Sequence, residues 1–205
     1  MNDVEEPAKA TQEVAKFGAK ALEVIHDAGR YVAKVLGSVP EDAVGLMGGD
    51  WLRFKRAENI LRLSKRTDEI LASRKVGETR EVPPKFAGPL FTAAADDNHD
   101  ELRELWARLL ASAMDPNRSG SMRQSFVDAL KGMDPMDARV FAAVQDVLPR
   151  SGETRNFVSH ALNVSIDEVQ VSFENLERLG LNRAAGHGQF DPTATGRQLW
   201  VALKD

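Results

Sequence analysis

Apolar side chains recur every three or four residues through the first part of the chain, the spacing of one face of an α-helix. This stripe predicts one long helix over 6–36 that packs against another helix; its apolar positions are Val14, Phe17, Ala21, Val24, Ala28, Val32 and Val35. Pro40 and four glycines then predict a break around a short helix at 41–47. A second long helix is expected from Asp50 to about Lys75.

The middle of the chain contains three further segments with helical spacing. A short buried helix is expected at 85–95, after Pro83 and Pro84, which cannot continue the preceding helix. Residues 100–114 are strongly amphipathic, and another helix is expected at 121–133. The side chains predicted to fill the core of this region are Leu105, Trp106, Leu109 and Phe126.

The pattern changes at Asp134, where an Asp cap, a proline at the first helical position and an acid in the first turn mark a helix start. Helices are predicted at 135–148, 154–162 and 165–179, and the last contains a capping box and buries Phe173 and Leu176. Two glycines predict a small β-hairpin within 181–191. A final helix is expected at 192–203.

Three helices, a hairpin and a final helix are the order of elements in a winged helix. We therefore predict a mainly α protein with two parts. Residues 1–133 form an all-helical body, and residues 134–205 form a winged-helix-like module that contains the small β-hairpin.

The composition mainly excludes kinds of covalent link, metal site and targeting segment. Of the 205 residues, none is cysteine, so disulfides and thiolate zinc sites are excluded. The N-terminal residues lack the basic and apolar regions of a signal peptide. No uncharged apolar run approaches the roughly 20 residues of a membrane-spanning helix. We therefore expect a cytoplasmic protein.

Several stretches between about residue 10 and residue 200 together resemble the abortive infection alpha (Abi-alpha) family of bacterial proteins. The stretches are Asn59-Ile60-Leu61-Arg62-Leu63, Val82-Pro83-Pro84-Lys85, Glu104 to Ala111 with Met114-Asp115-Pro116, Ser125-Phe126-Val127 with Leu130, Met133 to Ala138, Leu176 to Leu181 and Thr195-Gly196-Arg197. Their order is more specific than any one of them. The resemblance implies defence against bacteriophage, in which an infected cell stops phage production at its own expense. It supplies no catalytic residues.

The charge of the chain is unevenly distributed. The net charge of −4 disfavours a general nucleic-acid binder, yet residues 51–66 hold six basic residues and one acid, Glu58. Lys55, Arg62 and Arg66 fall on one helix face, here called the basic stripe. The basic stripe is a candidate site for an anionic ligand such as RNA, DNA or an acidic lipid surface. The more frequent alternative is a solvated face that pairs with acids elsewhere in the chain.

The third helix of the predicted module occupies the position that reads DNA in many winged helices. It carries four acids against one arginine: Asp167, Glu168, Glu174 and Glu177 against Arg178. Because these acids would repel phosphate, protein contact or packing is favoured over DNA reading.

The long N-terminal helix has a second interpretation. Its basic residues, Lys16, Lys20, Arg30 and Lys34, would suit a helix that lies on a membrane. Acids share the same polar face, so packing against another helix, within the chain or in a second copy, is favoured.

Catalytic patterns are lacking. The four histidines are isolated, and the glycines are not followed by the Gly-Lys-Ser/Thr of a phosphate loop. Residues 96–101 are densely polar and could bind a divalent cation, but they lack the spacing and the glycine of a calcium loop, and an acid-rich helix N-terminus without a function is favoured. We expect no catalytic residue, metal ligand or cofactor.

We therefore expect a phage-defence protein that acts through contact with a protein, either itself or a phage component, without being an enzyme. Two alternatives stay open. One is a nucleic-acid-binding regulator that uses the basic residues of 51–66. The other is a membrane-active toxin that acts through residues 10–50.

Overall fold

The fold is mainly helical, with one small antiparallel sheet near the C-terminus. The computed structural model describes residues 5–37, 50–147, 154–185 and 189–204. Its helices are α1 (Glu5–Leu36), α2 (Asp50–Ser73), α3 (Pro84–Asp96), α4 (Asp100–Met114), α5 (Gln124–Lys131), α6 (Pro135–Val147), α7 (Thr154–Leu162), α8 (Ile166–Arg178) and α9 (Ala194–Leu203). A 3-10 helix (Pro116–Ser121) precedes α5, and strands β1 (Asn182–Ala184) and β2 (Phe190–Pro192) precede α9. The short helix predicted at 41–47 lies outside the described residues.

Helix α4 lies at the centre of the fold. From Leu105 to Met114 every side chain except that of Arg108 is buried, so this part of the helix is enclosed on all sides. Accordingly, α4 contacts α2, α3, α5, α6 and α9. The six side chains predicted to be core are each at most 5% exposed: Leu105, Trp106, Leu109, Phe126, Phe173 and Leu176.

The long helix α1 is buried along only part of its length. Ala28, Val32 and Val35, which belong to the predicted stripe, are buried where α1 packs on α2. Earlier in the helix Leu22 is 70% exposed. The described contacts therefore hold α1 to the body through its C-terminal part.

Helices α6, α7 and α8 pack against one another, and the β1–β2 pair follows α8. The start of α6 has the predicted Asp134 cap, and the capping is reciprocal. The Asp134 carboxylate accepts from Asp137 N at 3.0 Å, and the Asp137 carboxylate accepts from Asp134 N at 2.9 Å. The rings of Phe173 and Phe190 stack with centroids 3.9 Å apart, which fixes β2 against α8.

Helix α8 ends at Arg178, one residue before the predicted end at 179. Gly180 has φ +72°, Gly180 N donates to Glu177 O, and Leu181 N donates to Leu176 O. This is the Schellman arrangement, in which a residue with positive φ satisfies the last carbonyls of a helix.

The predicted starts of two helices were wrong by two or three residues. Helix α5 begins at Gln124 and not at 121, because the preceding residues form the 3-10 helix, which Asp115 caps through Asn117 N. Helix α9 begins at Ala194 and not at 192. Pro192 pairs with Asn182 in the sheet, and the hydroxyl of Thr193 caps the helix.

The hydrophobic core is shared by the two predicted parts of the chain. One cluster of buried residues includes side chains from α1 through α9. The division into 1–133 and 134–205 therefore remains a prediction about chain organisation.

Candidate functional site

The basic stripe lies on α2, and each of its cations is paired with a carboxylate. Lys55 Nζ lies 3.1 Å from Glu58 Oε2, and Arg62 Nη2 donates to Glu58 Oε1 at 3.0 Å. Arg66 instead turns towards α4, where its Nε lies 2.5 Å from Glu104 Oε2. The structure therefore brings Lys55 and Arg62 together around one acid and places Arg66 in a separate ion pair.

The same contacts lower the pKa of two carboxyl groups. The hydrogen bond from Lys55 is the main cause of the lowered pKa of Glu58, and Arg62 adds to it. The hydrogen bond from Arg66 is the main cause of the lowered pKa of Glu104, to which Arg108 contributes. Both acids are therefore charged at neutral pH and serve as counter-ions to the stripe.

A cavity of about 390 Å³ lies beside the stripe. Lys55, Arg56 and Arg62 line it together with Glu58 and Asp96. Arg56 donates to Asp96 Oδ1 at 2.5 Å, so both acids that line the cavity are already bound by bases that line it. An anion would have to compete with these carboxylates, and the anionic-ligand site stays a prediction.

The polar cluster at 96–101 is divided among several contacts. Asp96 binds Arg56 on α2, Asp97 accepts from His99 N at 3.0 Å, and Asp100 pairs with Arg103. Asp100 and Glu101 occupy the first turn of α4, where acids favour the helix dipole. Within the part of the chain that the structure describes, no group of three His, Asp or Glu side chains is placed to hold a metal ion.

The solvent face of α8 combines acids with an exposed apolar side chain. At 100° per residue Asp167, Val171, Glu174 and Arg178 share one side, opposite the buried Val169, Phe173 and Leu176. Val171 is 64% exposed at the centre of this side, here called the α8 face. Glu168 and Glu177 flank it and are also exposed. Hydrogen bonds from the backbone and hydroxyl of Ser165 lower the pKa of Glu168, so it too is charged at neutral pH.

Sequence reasoning missed a polar cluster that holds the end of α9. Arg108 donates to Leu203 O, and both Arg74 and Arg118 donate to Lys204 O. Ser112 donates to Ala202 O. We call Arg74, Arg108, Ser112 and Arg118 the arginine clasp. Its partners are 86 to 130 residues apart in the chain, and no local pattern marks them.

These features define a mainly helical protein with a charged surface, a shared core and, among the described helices, none long and apolar enough to cross a membrane. A family model described as abortive infection alpha matches residues 55–195, more than half of the chain. The chain belongs to the abortive infection alpha family. Searches among curated proteins and solved structures give no match to it.

Proposed function

We propose that this protein defends bacteria against phage by abortive infection and that it acts by binding another protein, without catalysing a reaction. Membership of the family supports the defence role. The α8 face supports the mode of action, because an apolar side chain that is exposed among acids suits a protein partner better than nucleic acid. This face is the observation that carries the proposal.

The fold around this face supports a winged-helix-like module. Helices α6, α7 and α8, the β1–β2 pair and α9 follow one another in the order of that fold. In such modules the helix at the position of α8 enters the DNA major groove. Here that helix carries four acids and one arginine, so its charge repels phosphate and attracts a partner with basic groups.

The partner is a protein that surrounds an apolar contact with lysine or arginine. Val171 would fill the centre of the contact, while Asp167 and Glu174 would pair with basic groups at its rim. Rim charges of this kind guide association and select the partner, and a central apolar contact supplies more of the affinity.

A plating assay tests the proposal with two matched variants. Val171→Asp removes the apolar centre of the α8 face, and Val201→Asp places the same charge on an exposed valine of α9, which is 56% exposed. We expect the wild-type protein to lower phage plating, Val171→Asp to lose most of that protection, and Val201→Asp to keep it. Circular dichroism should show both variants folded.

Two results would count against the proposal. Equal protection by Val171→Asp and the wild-type protein would remove the α8 face from the mechanism. No change in plating across a broad phage panel on wild-type expression would remove support for the defence role itself.

Nucleic-acid binding is the second candidate function, because Lys55, Arg56 and Arg62 line one cavity. A gel-shift titration with a 30-nucleotide RNA and a DNA duplex of equal length, at 50 and 200 mM salt, distinguishes it from the first. Phosphate binding would weaken steeply with salt. It would also be lost in Lys55→Gln/Arg62→Gln. Absence of a shift at both salt concentrations removes this candidate.

A further inference from the structure

Helix α1 presents a surface that the described body leaves open. Leu22 is 70% exposed, more than any other large apolar side chain of the described residues. Gly18 lies one turn before it on the same side of the helix and is also exposed. A Cβ at Gly18 would meet nothing within 4 Å, so no described contact requires a glycine there. This glycine weakens the helix without a reason in the described packing of a single copy.

Two opposite charges lie on one edge of this surface. Lys16 and Glu23 are seven residues apart, so they lie about 20° from each other around the helix and about 100–120° from Leu22. Both are exposed, and neither forms an ion pair with a described residue. We call Lys16, Gly18, Leu22 and Glu23 the α1 face.

The α1 face is complementary to itself in one orientation. In an antiparallel pair of α1 helices, Leu22 lies over the partner's Gly18 when the two-fold axis passes residue 20, the midpoint of 18 and 22. The midpoint of 16 and 23 is 19.5, so the same axis brings Lys16 beside the partner's Glu23. Each contact then occurs twice, as in an isologous interface. A parallel pair would instead set like charges against each other.

We propose that the α1 face binds the α1 face of a second copy of this chain, with the two helices antiparallel. The absence of a side chain at Gly18 leaves room between the helices for the partner's Leu22, whose apolar surface is thereby removed from water. The two ion pairs between Lys16 and the partner's Glu23 fix the orientation and the register. A lipid surface or an unrelated protein gives no reason for the acid and the base to lie equally far from one axis.

The bodies of the two copies lie at opposite ends of this helix pair. The buried residues that hold α1 to its own body extend from Ala28 to Val35. At 1.5 Å per residue, the centres of these two attachments are about 35 Å apart along the pair. Each α1 is thus held by its own body near its C-terminus and by the second copy around Leu22. The contact is confined to one pair of helices, so we expect a weak dimer that forms with rising concentration.

Sedimentation velocity on the full chain, from about 1 to about 200 μM, tests the proposal. We expect the wild-type protein to shift from monomer to dimer over this range. Lys16→Glu and Glu23→Lys each place like charges together twice and should weaken the dimer roughly tenfold or more. The double variant Lys16→Glu/Glu23→Lys should restore the wild-type affinity, and an equimolar mixture of the two single variants should form a mixed dimer. In a parallel pair, neither single reversal would weaken association.

Matched controls separate this contact from general effects of charge and apolar surface. Lys65→Glu makes the same charge change at an exposed lysine of α2 and should leave the dimer affinity unchanged. Leu22→Gln should weaken the dimer roughly tenfold or more, because two leucines lose their burial. Val201→Gln, at an exposed valine of α9, should not weaken it. Circular dichroism should show all variants folded.

Three outcomes would overturn the proposal: a monomer at every concentration, a dimer that neither single charge reversal weakens, or a loss that the double variant does not restore. Cosedimentation of a monomer with vesicles of anionic lipid would assign the α1 face to a membrane surface instead. The measurement needs only the purified chain and is independent of the defence role. A negative plating result would leave this test intact, and a monomeric chain would leave the α8 face as the proposed contact.

Discussion

At Glu104 one carboxylate holds two arginines that belong to different helices. Arg66 on α2 donates through Nε at 2.5 Å and Nη2 at 2.9 Å, and Arg108 on α4 donates through Nε at 2.6 Å. Two parallel donors from one guanidinium make the stronger kind of ion pair. Glu104 thereby links α2 to the central helix.

Glu104→Gln should lower the free energy of unfolding by about 1 kcal/mol at pH 7, the upper range for partly exposed ion pairs. The pKa of Glu104 lies below its ordinary value of 4.5 in the folded state. Its stabilising contribution is therefore complete above that ordinary value and is lost as the pH falls through the folded pKa. Urea unfolding at pH 7 and at lower pH should show the difference between wild type and variant shrinking on acidification.

The control for this prediction is Glu78→Gln, which removes an exposed acid in the linker before α3. It should change stability little at either pH. A difference between wild type and Glu104→Gln that stays constant from pH 7 to pH 3 would contradict the assignment of the ion pair.

For single residues, the sequence identified the three cations of the basic stripe but not the carboxylates that pair with them. The face shared by Lys55, Arg62 and Arg66 follows from helix geometry, and the local partner Glu58 lies within four residues of two of them. Glu104 lies 38 residues beyond Arg66. Such a contact depends on how two helices pack, which the spacing of side chains along one helix does not encode.

At the scale of elements, the junction between β1 and α9 is packed around one glycine. Gly196, in the first turn of α9, is buried, and a Cβ there would lie 2.1 Å from Leu181 O. That carbonyl is held in place, since it accepts from Thr193 N at 2.8 Å and from the Thr193 hydroxyl at 3.1 Å. Neither the helix nor the strand start can move away without breaking these bonds.

Gly196→Ala should therefore destabilise the protein by roughly 2 kcal/mol or more, as expected for overpacking against backbone. Gly29→Ala is the matched control, because Gly29 lies within α1 and a Cβ there would meet nothing within 4 Å. That control should be neutral or slightly stabilising, since alanine favours helix over glycine. Thermal unfolding of both variants checks the prediction, and similar melting temperatures for the two would refute the close approach.

Most elements could be predicted from local signals, and the errors have local causes. The Asp134 cap, the Ser165 capping box and the Gly180 stop each act within a few residues, so the pattern identifies α6 and α8. At α9 the sequence offers two starts. Proline is common in the first turn of a helix, but Pro192 pairs with Asn182 in the sheet. Thr193 caps α9 instead, because its hydroxyl accepts from Gly196 N.

At the scale of the whole molecule, the arginine clasp joins the middle of the chain to the end of α9. Ser112, on α4, is 1% exposed, donates to Ala202 O and accepts from Arg74 Nη1 at 3.0 Å. Ser112→Ala would leave the carbonyl and the guanidinium without this partner. We expect a loss of about 1–3 kcal/mol in unfolding free energy, the cost of leaving a buried polar group unpaired.

Ser125→Ala is the control for this prediction, because Ser125 is an exposed serine on α5. It should change the urea midpoint little. Equal midpoints for Ser112→Ala and the wild-type protein would show that the clasp contributes no stability.

The last carbonyls of a helix are usually exposed to water, whereas those at the end of α9 accept hydrogen bonds from Arg74, which directly follows α2, and from side chains of α4 and the 3-10 helix. If α9 melted alone, the clasp side chains would lose their acceptors, and if the remainder melted alone, the carbonyls at the end of α9 would lose their donors. The two parts should therefore unfold together on heating. Calorimetry should accordingly record a single endotherm whose calorimetric and van't Hoff enthalpies agree.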